Sequence, residues 1–445
     1  MTTTPYLASE AGMALGTLAK KNKKNAGAPP KIGIASDSYG ICRLLHESAS
    51  AGLRYTGAEI YDLGSQCHPV VRGAVDYLSA DYMMYIGMYE DEPTVYFYDR
   101  DGLTPNADAL KSLEEIFSRK EFAVAEEIPP VIRSDSVGDI YVKSLVDGLS
   151  GKEFKYNLKI RTSSKTVSEV LEKILREIES LMKAPADKYE FGADIGGGGQ
   201  TVSFYKPDGE NGKLVSNGRI FELKEQIVCE DEFYALISYF LIKERGVENI
   251  VLPYTVSENA ENYILGSGVN VIRSQERRRE ALLRDILKKG GKEQFRLCSD
   301  GIYSSIKILD FLNSQDIGFS ELLDKLPRAF RDAESVERRF GSGDDVVKKL
   351  KEKYQTYEEI GSETRPGGEK INRFGLGLPK KNLIGGELFG LSEESERGGI
   401  KIRSDGGIVL VIPSGKSSIK IITESYDAEA AHELAANLKN EILSL

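Results

Sequence analysis

The stretch FGADIGGGGQTVSFY, residues Phe191–Tyr205, predicts a buried strand, a turn of four glycines (Gly196–Gly199) and a second strand from Val202. A turn without side chains brings backbone amides close to whatever lies beside it, and such a nest can hold an anion without any charged residue. Gly197 and Gly198 are therefore candidate anion-binding positions. The same glycines also suit a plain hairpin turn, so the sequence on either side has to decide.

A chain of 445 residues is too long for one ordinary core, and two to four domains are expected. Hydrophobic residues at 40% and charged residues at 29% describe a folded globular protein. No apolar run reaches the length that crosses a bilayer. The opening MTTTPYLASEAG has no basic segment followed by an apolar core, so no secretory signal is expected. The formal net charge of -10 opposes general attraction to nucleic acid or an anionic membrane, and neither is expected as a partner. Cys42, Cys67, Cys229 and Cys298 form no close pair, which suggests a reducing compartment, and the cytoplasm is expected. His46, His68 and His432 lie far apart, with no partner at metal-ligand spacing, and read as structural or surface residues.

Along the chain, a helix over Ala8–Leu18 is followed by strand Lys31–Ala35, helix Gly40–Ala51, strand Glu59–Leu63, helix Pro69–Leu78 and strand Tyr82–Ile86. That alternation predicts an open, largely parallel sheet covered on both faces. Tyr96–Tyr98 and a helix near Asn106–Phe117 close the unit, and Glu126–Ser136 reads as its exit. A second unit begins with strand Tyr156–Arg161. Its helix places Val167, Val170, Leu171, Ile174, Leu175, Ile178 and Leu181 on one face and leads into the glycine turn. A third unit repeats the alternation through Glu232–Lys243, Asn249–Pro253, Asn259–Leu265 and Asn270–Ile272, then continues through Arg277–Arg279 to helices at Leu282–Lys288, Tyr303–Leu312 and Ser320–Leu326. The last unit has a charged helix at Asp344–Tyr354 and a Gly/Pro/Lys-rich segment at Gly361–Lys380. Strands Gly399–Arg403, Ile408–Pro413 and Ser418–Thr423 then lead into helix Ala428–Leu443, which fits a two-layer α+β module.

This order resembles the phosphohexomutase superfamily, the phosphoglucomutases, phosphomannomutases and phosphoglucosamine mutases. The scaffold segments are GAEIYDLGSQCHPVVRGAVDYLSAD (Gly57–Asp81), the glycine turn with VSFYKPDG (Val202–Gly209), SGVNVIRSQ (Ser267–Gln275), CSDGIYSSIKILDFL (Cys298–Leu312) and GGIVLVIPSGKSSIKI (Gly406–Ile421). The resemblance covers nearly the whole chain. It implies an α/β fold of four domains around one cleft, three mixed α/β domains (1–140, 141–220 and 221–334) and a C-terminal two-layer α+β domain (335–445). It also implies two phosphoryl transfers through one phosphoserine on a hexose phosphate, assisted by Mg²⁺.

The positions that would carry this chemistry depart from the family pattern. The family's Thr-Ala-Ser-His-Asn-Pro loop corresponds to Ile86–Pro93, IGMYEDEP, which has no serine or threonine. Tyr89 is the remaining candidate phosphoacceptor, and Glu90, Asp91 and Glu92 place negative charge where a phosphate would rest. The Asp-Gly-Asp-Gly-Asp-Arg metal loop corresponds to Gly196–Thr201, without a carboxylate, although Mg²⁺ needs oxygen ligands. Asp194 lies two residues early. The Gly-Glu-x-Ser-Gly-His sugar loop corresponds to GGKEQFRL (Gly290–Leu297), keeping only Glu293. The Arg-Pro-Ser-Gly-Thr-Glu-Pro phosphate loop becomes Ile412–Ser418, where Ser414, Gly415 and Lys416 remain candidate anion ligands, with Arg279 as a further cation. The Arg-Asp-x-Arg turn becomes Ser36–Tyr39, with no basic group, and the family's entry strand with its arginine motif is missing before Ala8.

The expectation is a mutase-shaped protein without phosphoryl transfer, holding a phosphorylated sugar, another small anion or a protein partner in the former cleft. Two alternatives stay open. One is an active mutase using Tyr89 and a metal held by Glu90, Asp91, Glu92 or Asp194, with Mg²⁺ as cofactor. The other is an ATP-binding protein of the actin and sugar-kinase kind, since DIGGGGQT (Asp194–Thr201) and KIGIASDSYG (Lys31–Gly40) resemble that fold's phosphate loops.

Overall fold

The computed structural model describes residues 3–23, 28–89, 92–182, 189–206, 212–216, 219–223, 226–276, 278–327, 330–337, 342–354, 357–360, 398–404, 407–414 and 418–444. The described residues divide into two compact units, one within Met1–Val228 and Arg296–Glu321, the other within Cys229–Phe295 and 322–445.

The first unit opens with α1 (Pro5–Asn22), whose start is fixed by the Thr4 hydroxyl accepting from the Leu7 amide. The alternation that follows is β1 (Lys31–Ser36), α2 (Gly40–Tyr55), β2 (Glu59–Ser65), α3 (His68–Leu78) and β3 (Tyr82–Tyr89), then β4 (Glu92–Asp99), α4 (Ala107–Arg119), β5 (Val131–Arg133) and α5 (Val137–Val146). The strands form one sheet in the order β4-β3-β1-β2-β5. Three of its pairings are parallel and the β3–β4 edge is antiparallel. Ile32 and Ile34 of the central strand are fully buried, and α1 and α2 contribute Ala8, Leu15, Leu18, Ala49 and Leu53 to the same core. The expected parallel sheet is present, with β5 arising inside the segment read as an exit.

A second sheet in this unit is built from β6 (Leu158–Arg161), β7 (Phe191–Gly196), β8 (Thr201–Lys206) and the short strand Gln226–Ile227. Between β6 and β7, α6 (Lys165–Ile178) buries Val167, Val170, Leu171, Ile174 and Ile178, the face expected from the 3.6-residue period. Phe191 stacks on Phe319 with centroids 4.6 Å apart. The helix Gly301–Gln315 is buried from Gly301 through Asn313. It belongs to this unit.

In the second unit, strands Asn249–Pro253 and Asn270–Ser274 pair in parallel. The buried Gln294 side chain seals one edge: its amide oxygen accepts from the Val251 N–H at 3.0 Å and its nitrogen donates to the Val251 carbonyl at 2.6 Å. A five-stranded antiparallel sheet follows, ordered Phe330–Glu337, Ser418–Ser425, Gly407–Ser414, Gly399–Ser404 and Tyr357–Ile360. Helices Gly343–Lys353 and Ala428–Ser444 supply Val346, Val347, Leu350, Leu438 and Ile442 to its core. The two-layer module is as expected, with two outer strands beyond the elements predicted, and the charged helix expected at Asp344–Tyr354 packs onto the sheet as a second covering helix. Gly361–Lys380 lies outside the described residues.

Candidate functional site

The glycine turn connects two antiparallel strands, with Gly196 opposite Thr201. Gly197, Gly198 and Gly199 have φ of 55°, 62° and 102°, a left-handed region that glycine enters without steric cost. A Cβ on Gly198 would lie 2.7 Å from His68 Cδ2, and one on Gly199 would lie 2.8 Å from Pro69 Cδ. Glycine is required here because the turn docks against the first turn of α3. Gly196 and Gly197 remain exposed.

His68 is buried, and its Nδ1 is hydrogen-bonded to the Tyr98 hydroxyl. Its ring packs against Tyr85 and Tyr96 at centroid distances of 4.1 and 4.7 Å. One helical turn later, Arg72 Nη2 donates to Gln200 Oε1 at 2.8 Å, while the guanidinium carbon lies 5.1 Å from the Tyr98 ring centroid. His68 and Arg72 are four residues apart and share one helix face, and this is the sequence signal that places both of them at the turn.

Asp194 stands opposite Arg161 in the β6–β7 register. Arg161 Nη2 donates to Asp194 Oδ2 at 2.6 Å, and the guanidinium lies 4.0 Å from the Tyr205 ring centroid. The carboxylate is therefore held by an arginine. The turn itself supplies no side-chain oxygen at Gly196–Gly199, and Gln200 is engaged by Arg72. Among the described residues no group of three or more His, Cys, Asp or Glu side chains could hold a metal ion. The donor set at the turn does not fit Mg²⁺, which requires oxygen ligands in near-octahedral array.

The segment read as a phosphoacceptor loop is largely strand. Gly87, Met88 and Tyr89 pair with Thr94, Pro93 and Glu92 in the antiparallel ladder. The aromatic and β-branched residues of TVYFY suit a pleated partner strand, so β3 continues where a loop was expected. Tyr89 and Glu92 are both exposed. Glu90 and Asp91 lie outside the described residues. At the end of β1, the buried Asp37 accepts from the Ser38 N–H at 2.7 Å, and its own N–H donates to the Ile86 carbonyl at 2.8 Å.

The expected sugar loop is instead the helix Gly291–Ser299. Its Glu293 is paired with Arg245 at 3.3 Å, and the neighbouring Gln294 serves the strand edge described above. Arg279 lies 3.5 Å from Glu280, and Arg277 lies outside the described residues. Ser414 ends its strand opposite Ser418, whereas Gly415 and Lys416 lie outside the described residues. The structure therefore does not gather the sequence-predicted residues into one described cluster.

A buried acidic group escaped the sequence reading. Asp300 accepts from the Tyr141 hydroxyl at 3.0 and 2.9 Å and from the Tyr303 amide at 2.8 Å. Burial pushes its carboxyl up to about 6 and pushes the Tyr141 phenol well above its usual value. The Ser-Asp-Gly sequence ahead of an apolar helix is an N-cap signal that could have located it.

Comparison with known proteins agrees with this architecture. Residues 1–124 match the family model "Phosphoglucomutase/phosphomannomutase, alpha/beta/alpha domain I". A phosphoglucomutase/phosphomannomutase of Thermococcus kodakarensis is 25% identical over 374 residues, covering 74% of this chain and 78% of that protein. A phosphoglucomutase/phosphomannomutase family protein from Burkholderia thailandensis superposes with a TM-score of 0.69 at 12% identity, covering 98% of this chain and 93% of that one. The Aspergillus fumigatus N-acetylphosphoglucosamine mutase, solved in complex with GlcNAc-6P and magnesium, gives a TM-score of 0.51 at 12% identity, covering 96% of this chain and 79% of that one. The fold is that of the phosphohexomutases. Residues 1–124 form a first domain of the phosphoglucomutase/phosphomannomutase type.

Proposed function

We propose that this protein has the phosphohexomutase fold without phosphoryl transfer, and that it binds a phosphosugar or another small anion through that scaffold. The observation carrying this reading is the glycine turn: it has no carboxylate to offer Mg²⁺, and two of its glycines are covered by α3. The continuous β3–β4 ladder through Tyr89 supports it, because positioning errors of about 1 Å already cost transfer about a hundredfold. A phosphosugar is the proposed ligand class because the Aspergillus mutase was solved with GlcNAc-6P. Ser414, Gly415 and Lys416 are its proposed anion ligands, while a protein partner in the former cleft is the other occupant the reading allows.

We assign the four domains the boundaries 140, 220 and 334, and the cytoplasm as compartment. No helix among the described residues is long and apolar enough to cross a membrane. The test is thermal unfolding with glucose 6-phosphate or GlcNAc-6P against equal concentrations of the unphosphorylated sugar. A rise with the phosphosugar that is lost in Lys416→Ala is expected. An unchanged midpoint in every case would remove the anion-binding assignment.

The second reading is a hexose-phosphate isomerase acting through other groups, and it is favoured by the relationship to the Thermococcus protein. Magnesium would be its cofactor. The actin and sugar-kinase alternative is not retained, because the fold is of the mutase type.

A further inference from the structure

We propose that the Arg72 guanidinium is the resident cation of the glycine turn, and that the turn is a metal-independent joint clamping the second sheet of the first unit to its first sheet. This rests on the reading that the turn has no metal role, and it adds what has taken that place.

The contacts form a closed circuit. Gly198 lies against the His68 ring, and His68 is bonded to the Tyr98 hydroxyl. Tyr98 presents its ring to the Arg72 guanidinium, which donates to the Gln200 amide oxygen at 2.8 Å. The Gln200 nitrogen returns to the Gly197 carbonyl at 3.2 Å. Both ends of the Gln200 amide are used, so its orientation is fixed by the turn on one side and by the cation on the other.

Arg72 is only 8% exposed. A guanidinium so enclosed needs acceptors and aromatic faces to offset lost hydration, and the turn and Tyr98 provide one of each. A divalent cation brought to the same turn would meet the fixed positive charge of the buried Arg72 at short range. The carboxylates that could offset this cannot be introduced at Gly198 or Gly199, since each position has a positive φ and no room for a Cβ.

The experiment uses the full chain and follows thermal unfolding with EDTA, with MgCl₂, and with NaCl at matched ionic strength. No Mg²⁺-specific shift is expected. Arg72→Met and Gln200→Leu should each lower the midpoint, and the double variant should fall no further than the worse single variant. Gln200→Glu, which turns the neutral acceptor into a carboxylate, should raise the midpoint, and Arg72→Met should abolish that gain. A Mg²⁺-specific rise in the unaltered protein, or strictly additive losses in the double variant, would overturn the proposal. Turnover of a hexose phosphate would count against the proposed function while leaving these coupling measurements to judge the joint separately.

Discussion

Tyr89 stands directly opposite Glu92 in the antiparallel ladder between β3 and β4. The register carries regular pairing past the point where an acceptor loop would leave the sheet, and it leaves the Tyr89 side chain 42% exposed. Tyr89→Phe is therefore expected to change stability by no more than about 0.5 kcal/mol. Incubation with labelled hexose bisphosphate should leave both the parent and the variant unlabelled. A covalent label present in the parent and absent from the variant would contradict this.

Gly198 and Gly246 share a positive φ, 62° and 57°, but differ in surroundings. A Cβ on Gly246 meets nothing within 4 Å, whereas one on Gly198 would press on His68 at 2.7 Å. Gly246→Ala should cost about 1 kcal/mol from backbone strain, while Gly198→Ala should cost about 3 kcal/mol or more once overpacking is added. Urea unfolding of the two variants checks the ordering, and equal losses would refute the docked turn.

Asp300 gives the protein a pH signature opposite to that of an ordinary paired carboxylate. Folded, it keeps its proton to about pH 6, whereas unfolded it releases it near 3.8. Between those values the folded state binds more protons, so stability falls as pH rises. The loss levels off above pH 6 at about 3 kcal/mol. Asp300→Asn keeps an oxygen for Tyr141 and for the Tyr303 amide without the charge. Its stability should show no such decline, and its advantage over the parent should grow from pH 4 to pH 7 in denaturant titrations.

Glu258 has the usual sign. Arg403 and Lys401 both donate to its carboxylate, with Arg403 Nη1 at 2.6 Å, and hydrogen bonding from Arg403 is the main cause that lowers its carboxyl to about 2. The resulting stability is complete above the unfolded value near 4.5 and disappears as pH falls through about 2. Glu258→Gln should unfold at lower temperature than the parent at pH 7, with the gap closing toward pH 2. A gap independent of pH would show that the ion pair is not its source.

The fold was legible wherever apolar periodicity set the element. The α6 stripe from Val167 to Ile178 and the alternation of β1, α2, β2, α3 and β3 are examples. Legibility failed where long-range pairing overrode local pattern. The IGMYEDEP segment reads as a loop until TVYFY is seen to be its partner strand, and GGKEQFRL reads as a loop until Gln294 is seen to serve the edge at Val251. At the site, the missing carboxylates of the glycine turn were plain in the sequence. The burial of His68 and the Arg72–Gln200 bond were not, because 128 residues separate that pair and only the folded chain brings α3 onto the turn.

The most direct test of the central claim is a coupled assay of the purified full chain with glucose 1-phosphate, mannose 1-phosphate and glucosamine 1-phosphate, each with Mg²⁺ and the corresponding bisphosphate. Interconversion no faster than the enzyme-free control is the predicted result. Turnover on the order of 1 s⁻¹ or faster, within the ordinary range of enzymes, would contradict the account.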